Sequence, residues 1–278
     1  MRAASLVVGF GPLGCGHQPL DVGSNVVWST DFETGDFSAW SAPPGTGGSY
    51  IEGMGSSNAT VTVTTEQAHS GRYSAKLASA PASQGVTAYA LGGSGLYKEG
   101  AFPEAAYYSV WYFVPQFYPD VTTWSILKLN FGLGTPATVD ASADAAPTNV
   151  PESDASGELL ELGLMSLPDQ TMTIKLVDAR HEYLTSPLPD PVPAIPIGQW
   201  FQIESYYEYA ADSNGRLTVW LQGTKIYDIQ RPMSGNAIVY FTPCSLVDNL
   251  PSPSVLYVDD VTISWVRVTP EGVTPGVF

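Results

Sequence analysis

Residues 195–228 read IPIGQWFQIESYYEYAADSNGRLTVWLQGTKIYD, and their periodicity decides the fold class. From Trp200 to Tyr209 apolar and polar side chains alternate, ADSNG interrupts them, and Arg216 to Leu221 alternates again before Gln222-Gly223 and Lys225 to Asp228. Period-two alternation sends successive side chains to opposite faces of a strand, and short turn-forming breaks join neighbouring strands into a β-meander. One face collects Phe201 and Ile203 with Leu217, Val219 and Leu221, the set expected to enter a core. The other collects Gln202, Glu204, Tyr206 and Glu208 with Thr218 and Trp220. Rings interleaved with carboxylates and amides suit a sugar surface, because flat rings take the C–H faces of pyranoses and polar groups take the hydroxyls.

The same pattern extends along the chain. Strands are expected at Val26 to Phe32, Ala59 to Thr65, Ser74 to Ala78, Thr87 to Leu91, Ala106 to Val114 and Thr123 to Phe131. Further ones follow at Leu159 to Met165, Thr171 to Val177, Ala237 to Phe241 and Val255 to Val268. With 27 Gly and 23 Pro among 278 residues and no long segment at helical spacing, this is an all-β chain, a jelly-roll sandwich of two antiparallel sheets. One domain is expected over residues 26–268, with a C-terminal tail at 269–278. The run VDASADAAPTNVPESDASGE (139–158) is acidic and poor in large apolar groups, so it reads as a mobile surface loop. SPLPDPVPAIPIG (186–198) reads as an extended connection.

Charge excludes two classes of partner. The chain carries 27 acidic and 11 basic residues, a formal net charge of −16, so a nucleic acid or an anionic membrane surface would be repelled. The start, MRAASLVVGFGPLGCGHQPLD, has Arg2, an apolar run from Ala3 to Phe10 and small residues approaching Cys15. It is similar to a bacterial lipoprotein signal, which implies export, a lipid at Cys15 and a tether ending near residue 25. An ordinary secretory leader is the alternative. A lipidated Cys15 leaves Cys244 unpaired, hence a buried thiol. A monomer is expected.

Burying Leu127, Leu129 and Phe131 turns Trp124, Lys128 and Asn130 outward; burying Leu160, Leu162 and Leu164 exposes Glu161 with Gly163 as a floor; burying Ile174 and Leu176 exposes Lys175. In YYSVWYFV either Trp111 or Tyr112 is the outward residue. With these strands side by side, one sheet carries Lys128, Asn130, Glu161, Lys175, Glu204, Tyr206, Glu208 and Trp220 on its open side.

Taken in order, WSTDFETGDFSAWS (28–41), EQAHSGRYSAKL (66–77), YYSVWYFVP (107–115), WSILKLNFG (124–132), the meander and VLYVDDVTIS (255–264) resemble exported bacterial proteins of the heparin-lyase-I-like polysaccharide lyase type. The resemblance implies a concanavalin-like jelly roll that cuts uronate-containing polysaccharides by β-elimination. In that chemistry one group neutralises the carboxylate, a base takes the C5 proton and an acid protonates the leaving oxygen. Carried onto this chain, Lys128 and Asn130 would bind the carboxylate, Tyr206 would serve as acid or base, and His181 is the histidine able to reach the groove. Glu161, Lys175, Glu204, Glu208 and Trp220 would bind substrate. A glycosidase would instead need two carboxylates, Glu161 with Glu204 or Glu208. A third reading is a non-catalytic carbohydrate-binding module. DFETGDFSAW, AHSGRYS and YVDDVTIS recur in such jelly rolls, and that likeness implies a structural calcium held by Asp31, Glu33, Asp259 and Asp260.

Overall fold

The computed structural model describes residues 25–41, 49–52, 59–79, 92–100, 102–131, 158–178, 184–185, 188–210, 212–233, 240–247 and 253–270. Cys15, His181, the strand expected at Thr87 to Leu91 and nearly all of the acidic run lie outside these residues. In chain order the strands are β1 (Val26–Thr30), β2 (Ser49–Glu52), β3 (Thr60–Thr64), β4 (Ser74–Ser79), β5 (Gly92–Leu96), β6 (Lys98–Glu99), β7 (Ala105–Phe113) and β8 (Trp124–Phe131). Then come β9 (Glu158–Ser166), β10 (Met172–Asp178), β11 (Leu184–Thr185), β12 (Trp200–Glu208), β13 (Arg216–Leu221), β14 (Thr224–Gln230), β15 (Tyr240–Val247) and β16 (Ser254–Ser264). Among the described residues no helix is long and apolar enough to cross a membrane.

These strands form two antiparallel sheets. The first runs β14-β13-β12-β7-β16-β4-β3 with β1 also on β16, and the second runs β11-β10-β9-β8-β15-β5-β2 with β6 on β15. Neighbours such as β7 and β16, or β8 and β15, are far apart in sequence, which is jelly-roll connectivity. The meander is β12-β13-β14, and its second turn has positive φ at both Gln222 (49°) and Gly223 (75°), the backbone that matches strand twist in a two-residue hairpin. Gln222 is an unfavourable residue there, and its side chain compensates by accepting the Gln202 N–H at 2.9 Å.

The core lies between the sheets. Tyr108, Val110, Tyr112, Phe201, Ile203 and Val219 from the first face Leu129, Leu162, Ile174, Leu176 and Phe241 from the second, all buried. Tyr112 is therefore the inward residue of YYSVWYFV and Trp111 the outward one. Two phenols cross the layer, Tyr112 donating to the Ile126 carbonyl at 2.9 Å and Tyr227 to that of Ile174 at 3.1 Å. Cys244 is a buried thiol.

Trp124 departs from expectation. The register of β8 shifts between Ser125 and Leu127, so residues on both sides of the bulge, Trp124 and Ile126 as well as Leu127 and Leu129, point into the core. Its ring N–H donates to Ser245 Oγ at 3.0 Å. A second bulge, at Asp259 and Asp260 in β16, has Asp260 at φ 42° and separates the half that pairs with β4 from the half that pairs with β1.

Candidate functional site

The single sugar face expected from alternation is divided between two sheets. Lys128 and Asn130 (β8), Glu161 (β9) and Lys175 (β10) belong to the second sheet, whereas Glu204, Tyr206 and Glu208 (β12) and Trp220 (β13) belong to the first. Apart from Trp124, alternation assigned inward and outward correctly for the described side chains, but the outward sides of two packed sheets point away from each other, with a core about 10 Å thick between them. Glu161 and Glu204 or Glu208 therefore cannot flank one glycosidic bond, which removes the glycosidase pairing.

On the outward side of the second sheet, Lys128 stands directly opposite Glu161 on one neighbour and Thr242 on the other. Ser125 Oγ donates to Glu161 Oε1 and holds that carboxylate in place. Gly163 lies between Ser125 and Lys175 in the register, and with no side chain there Lys175 reaches across to the Thr122 carbonyl (3.0 Å) and Thr123 Oγ1 (2.5 Å). Lys175 thus braces the loop before β8. Asn130 is opposite Tyr240, which is itself opposite Glu99. The half-buried Tyr240 ring lies 4.8 Å from that of Tyr97. Sequence reading missed Tyr240, although the signal was present, because burying Phe241 as the last residue of an expected strand turns Tyr240 outward.

The outward side of the first sheet is covered over Gln202, Glu204, Trp220 and Trp111. The segment after β16 folds back over it: Arg267 Nε donates to Glu204 Oε2 at 2.7 Å, and Val268 N donates to Glu204 Oε1 at 2.6 Å. Gln202 Nε2 donates to the Val268 carbonyl at 2.5 Å and to Ser109 Oγ at 2.8 Å. The Arg267 guanidinium sits 4.1 Å from the Trp220 ring centre. Glu204 is 1% exposed; burial raises its carboxyl above the usual range, opposed by the bonds from Arg267 and Val268. Glu204 and Trp220 are clamps on the chain's own segment, a correction to their expected role as sugar ligands. Tyr206 donates to Glu208 at 3.0 Å, and burial together with that carboxylate pushes its phenol up to about 12, so it keeps its proton. Arg216 is in an ion pair with Asp228 on this side, away from Lys128.

Three of the four acids expected to hold calcium, Glu33, Asp259 and Asp260, bind the turn at residues 69–73. Glu33 accepts the N–H groups of Arg72 (2.7 Å) and Tyr73 (2.8 Å), and Asp259 accepts that of His69 (2.8 Å). Asp260 accepts Ser70 Oγ (2.9 Å) and lies 2.6 Å from His69 Nδ1, while Asp31 accepts the N–H of Glu33 in its own turn. His69, the only histidine among the described residues, stacks on Trp111 with ring centres 3.6 Å apart, so it too covers the first sheet. Asp259 is fully buried, and desolvation followed by the adjacent Asp260 charge pushes it up to about 8. Hard oxygens and a shortage of positive charge are what a cation would relieve. Among the described residues, however, no three His, Cys, Asp or Glu side chains converge as metal ligands.

Comparison with protein-family models and with curated proteins found no match. Solved structures share the architecture. One titled cellulose induced protein, Cip1, has a TM-score of 0.56 and 17% identity, with 87% of this chain and 98% of that one covered. The endo-β-1,4-glucuronan lyase of the fungus Trichoderma reesei has a TM-score of 0.52 and 12% identity over 86% of this chain and 95% of its own. The marine PL-14 alginate lyase of Aplysia kurodai has 0.51 and 12% over 86% and 99%. The fold is thus a β-jelly roll of the kind found in polysaccharide lyases, and at these identities the likeness is one of fold.

Proposed function

We propose that the protein is a polysaccharide lyase acting on a uronate-containing chain at the outward side of its second sheet. The observation that carries this reading is the register there, with Lys128 and Tyr240 on adjacent strands and Asn130 directly opposite Tyr240, in a fold shared with a glucuronan lyase and an alginate lyase. Lys128 and Asn130 bind the uronate carboxylate and make its C5 proton more acidic. Tyr240 replaces Tyr206 as the acid–base group, since Tyr206 is on the other sheet and committed to Glu208. The C5–H electron pair becomes the C4–C5 double bond, the C4–O bond breaks, and the proton taken by Tyr240 returns to the leaving oxygen. Glu161, fixed by Ser125 beside Lys128, tempers the positive charge, which favours weakly charged uronates over highly sulfated chains. His181 has no part in this scheme.

The test is incubation with a panel of uronate polymers and neutral glycans, following the ultraviolet absorbance of a new unsaturated uronate end. Growth on a uronate polymer supports the reading; no growth on any, with retention on a glycan gel, replaces it by the binding-module reading. Cleavage of heparin-type chains in the same panel, which the heparin-lyase-I likeness would imply, is not expected beside Glu161. Two accessory proposals have their own tests. Export with a lipid on Cys15 predicts fatty-acid labelling that Cys15→Ala abolishes. A structural calcium held by Asp31, Glu33, Asp259 and Asp260 predicts a melting temperature that rises with calcium and falls with chelator, and it requires those acids to turn from the groups they now bind and to converge.

A further inference from the structure

Tyr97 lies in the single-residue gap between β5 and β6, and its place is fixed by the backbone. Ser41 N donates to the Tyr97 carbonyl at 2.9 Å, Ser41 Oγ accepts the Glu99 N–H at 3.0 Å, and Lys98 Nζ donates to the Ala39 carbonyl at 3.1 Å. The segment 39–41 therefore holds Tyr97 and the two residues that follow it. Its ring lies 4.8 Å from that of Tyr240 with the planes 32° apart, and the two hydroxyls are hydrogen-bonded.

We propose that Tyr97 is a positioning residue for Tyr240, donating its hydroxyl to the Tyr240 oxygen so that this oxygen is aimed and readied to take the uronate C5 proton. The inference rests on the lyase reading above. Each phenol has one proton to give. Burial foremost, with Tyr240 and the Glu99 charge beside it, raises the Tyr97 phenol, so Tyr97 keeps its proton and has it to donate. Tyr240 is then the acceptor, with its own proton directed elsewhere. A donor aimed at a phenolate stabilises it. The other groups facing Tyr240 are Glu99 and Asn130, directly opposite on β6 and β8, and Lys128, opposite the Thr242 that shares its side of β15.

Tyr97→Phe keeps the ring and removes only the donor. On the polymer that the panel identifies, kcat is expected to fall about ten- to hundredfold at neutral pH with KM nearly unchanged, and the rising limb of the kcat–pH profile to move to higher pH. A loss equal at every pH, with the limb unmoved, overturns the proposal in favour of a merely structural Tyr97. A second readout needs no substrate. The tyrosinate absorbance step that disappears in Tyr240→Phe is expected at higher pH in Tyr97→Phe, and an unmoved step overturns the proposal even if no polymer is cleaved. If Tyr97→Phe fails to fold, isotope-labelled tyrosine NMR of the unsubstituted protein decides, because Tyr240 must ionise before Tyr97; the reverse order contradicts the assigned donor.

Discussion

The two outward sides of this sandwich use similar residue types for opposite ends. On the second sheet Lys128, Glu161 and Tyr240 stand on adjacent strands with half-buried side chains. On the first, Glu204, Gln202 and Trp220 are spent on residues 267–268, and Trp111 lies under His69. A strand that alternates aromatic and polar residues is thus an equally good recipe for a binding face and for a clasp. What separates them is whether a distant stretch of chain carries the complement, here a cation, an N–H and a carbonyl in consecutive residues.

The largest expected contrast is catalytic. Lys128→Ala should lower kcat/KM on the cleaved polymer by roughly 10²- to 10³-fold, the scale of removing one stabilising donor. If the covered side were the site, Lys128→Ala would be nearly silent. The second contrast is in stability. Glu204→Ala leaves the partly exposed Arg267 and the buried Val268 N–H without their acceptor and should cost about 2 to 3 kcal/mol, read by urea denaturation, with activity per folded molecule retained. A loss of activity with no loss of stability would move Glu204 back into a substrate site.

A third prediction concerns pH. Asp259 is pushed up to about 8 in the folded protein, so the folded state holds a proton that the unfolded state releases near pH 4. In chelator, stability should be highest on the acid side of this window and fall as pH rises from about 4 to about 8, the slope being absent in Asp259→Asn. A saturating calcium ion would reverse that slope. The smallest effect is expected at Arg216, whose pair with Asp228 is substantially exposed; Arg216→Ala should cost less than about 1 kcal/mol and leave cleavage unaltered.

Much of this was legible in the sequence. Alternation gave the meander, its Gln222-Gly223 turn and the inward sets of β9, β10, β12 and β13, because burial on one side of a strand is a local property. Which sheet a strand joins is not local: β12 pairs with β7 and β8 with β15 across long stretches of chain, so Lys128 and Tyr206 could be read as outward without revealing that they face opposite directions. The bulge that buries Trp124 is one residue wide and breaks the period-two rule on which its exposure was inferred. The clasp over Glu204 was hidden for the same long-range reason, since RVT after VLYVDDVTISWV reads only as more strand. Tyr240 is the exception, a residue that alternation alone would have placed correctly.

The central claim, that the second sheet holds the active side and the first is covered by its own chain, is tested most directly by paired substitutions in otherwise identical protein. Tyr240→Phe and Tyr206→Phe each remove one phenol, from opposite sides of the sandwich, and initial rates are followed by the ultraviolet absorbance of the unsaturated product. Tyr240→Phe is expected to lose about 10²- to 10⁴-fold in kcat and Tyr206→Phe to stay within about twofold of the unsubstituted protein. The reverse order would place the chemistry on the first sheet and contradict the account.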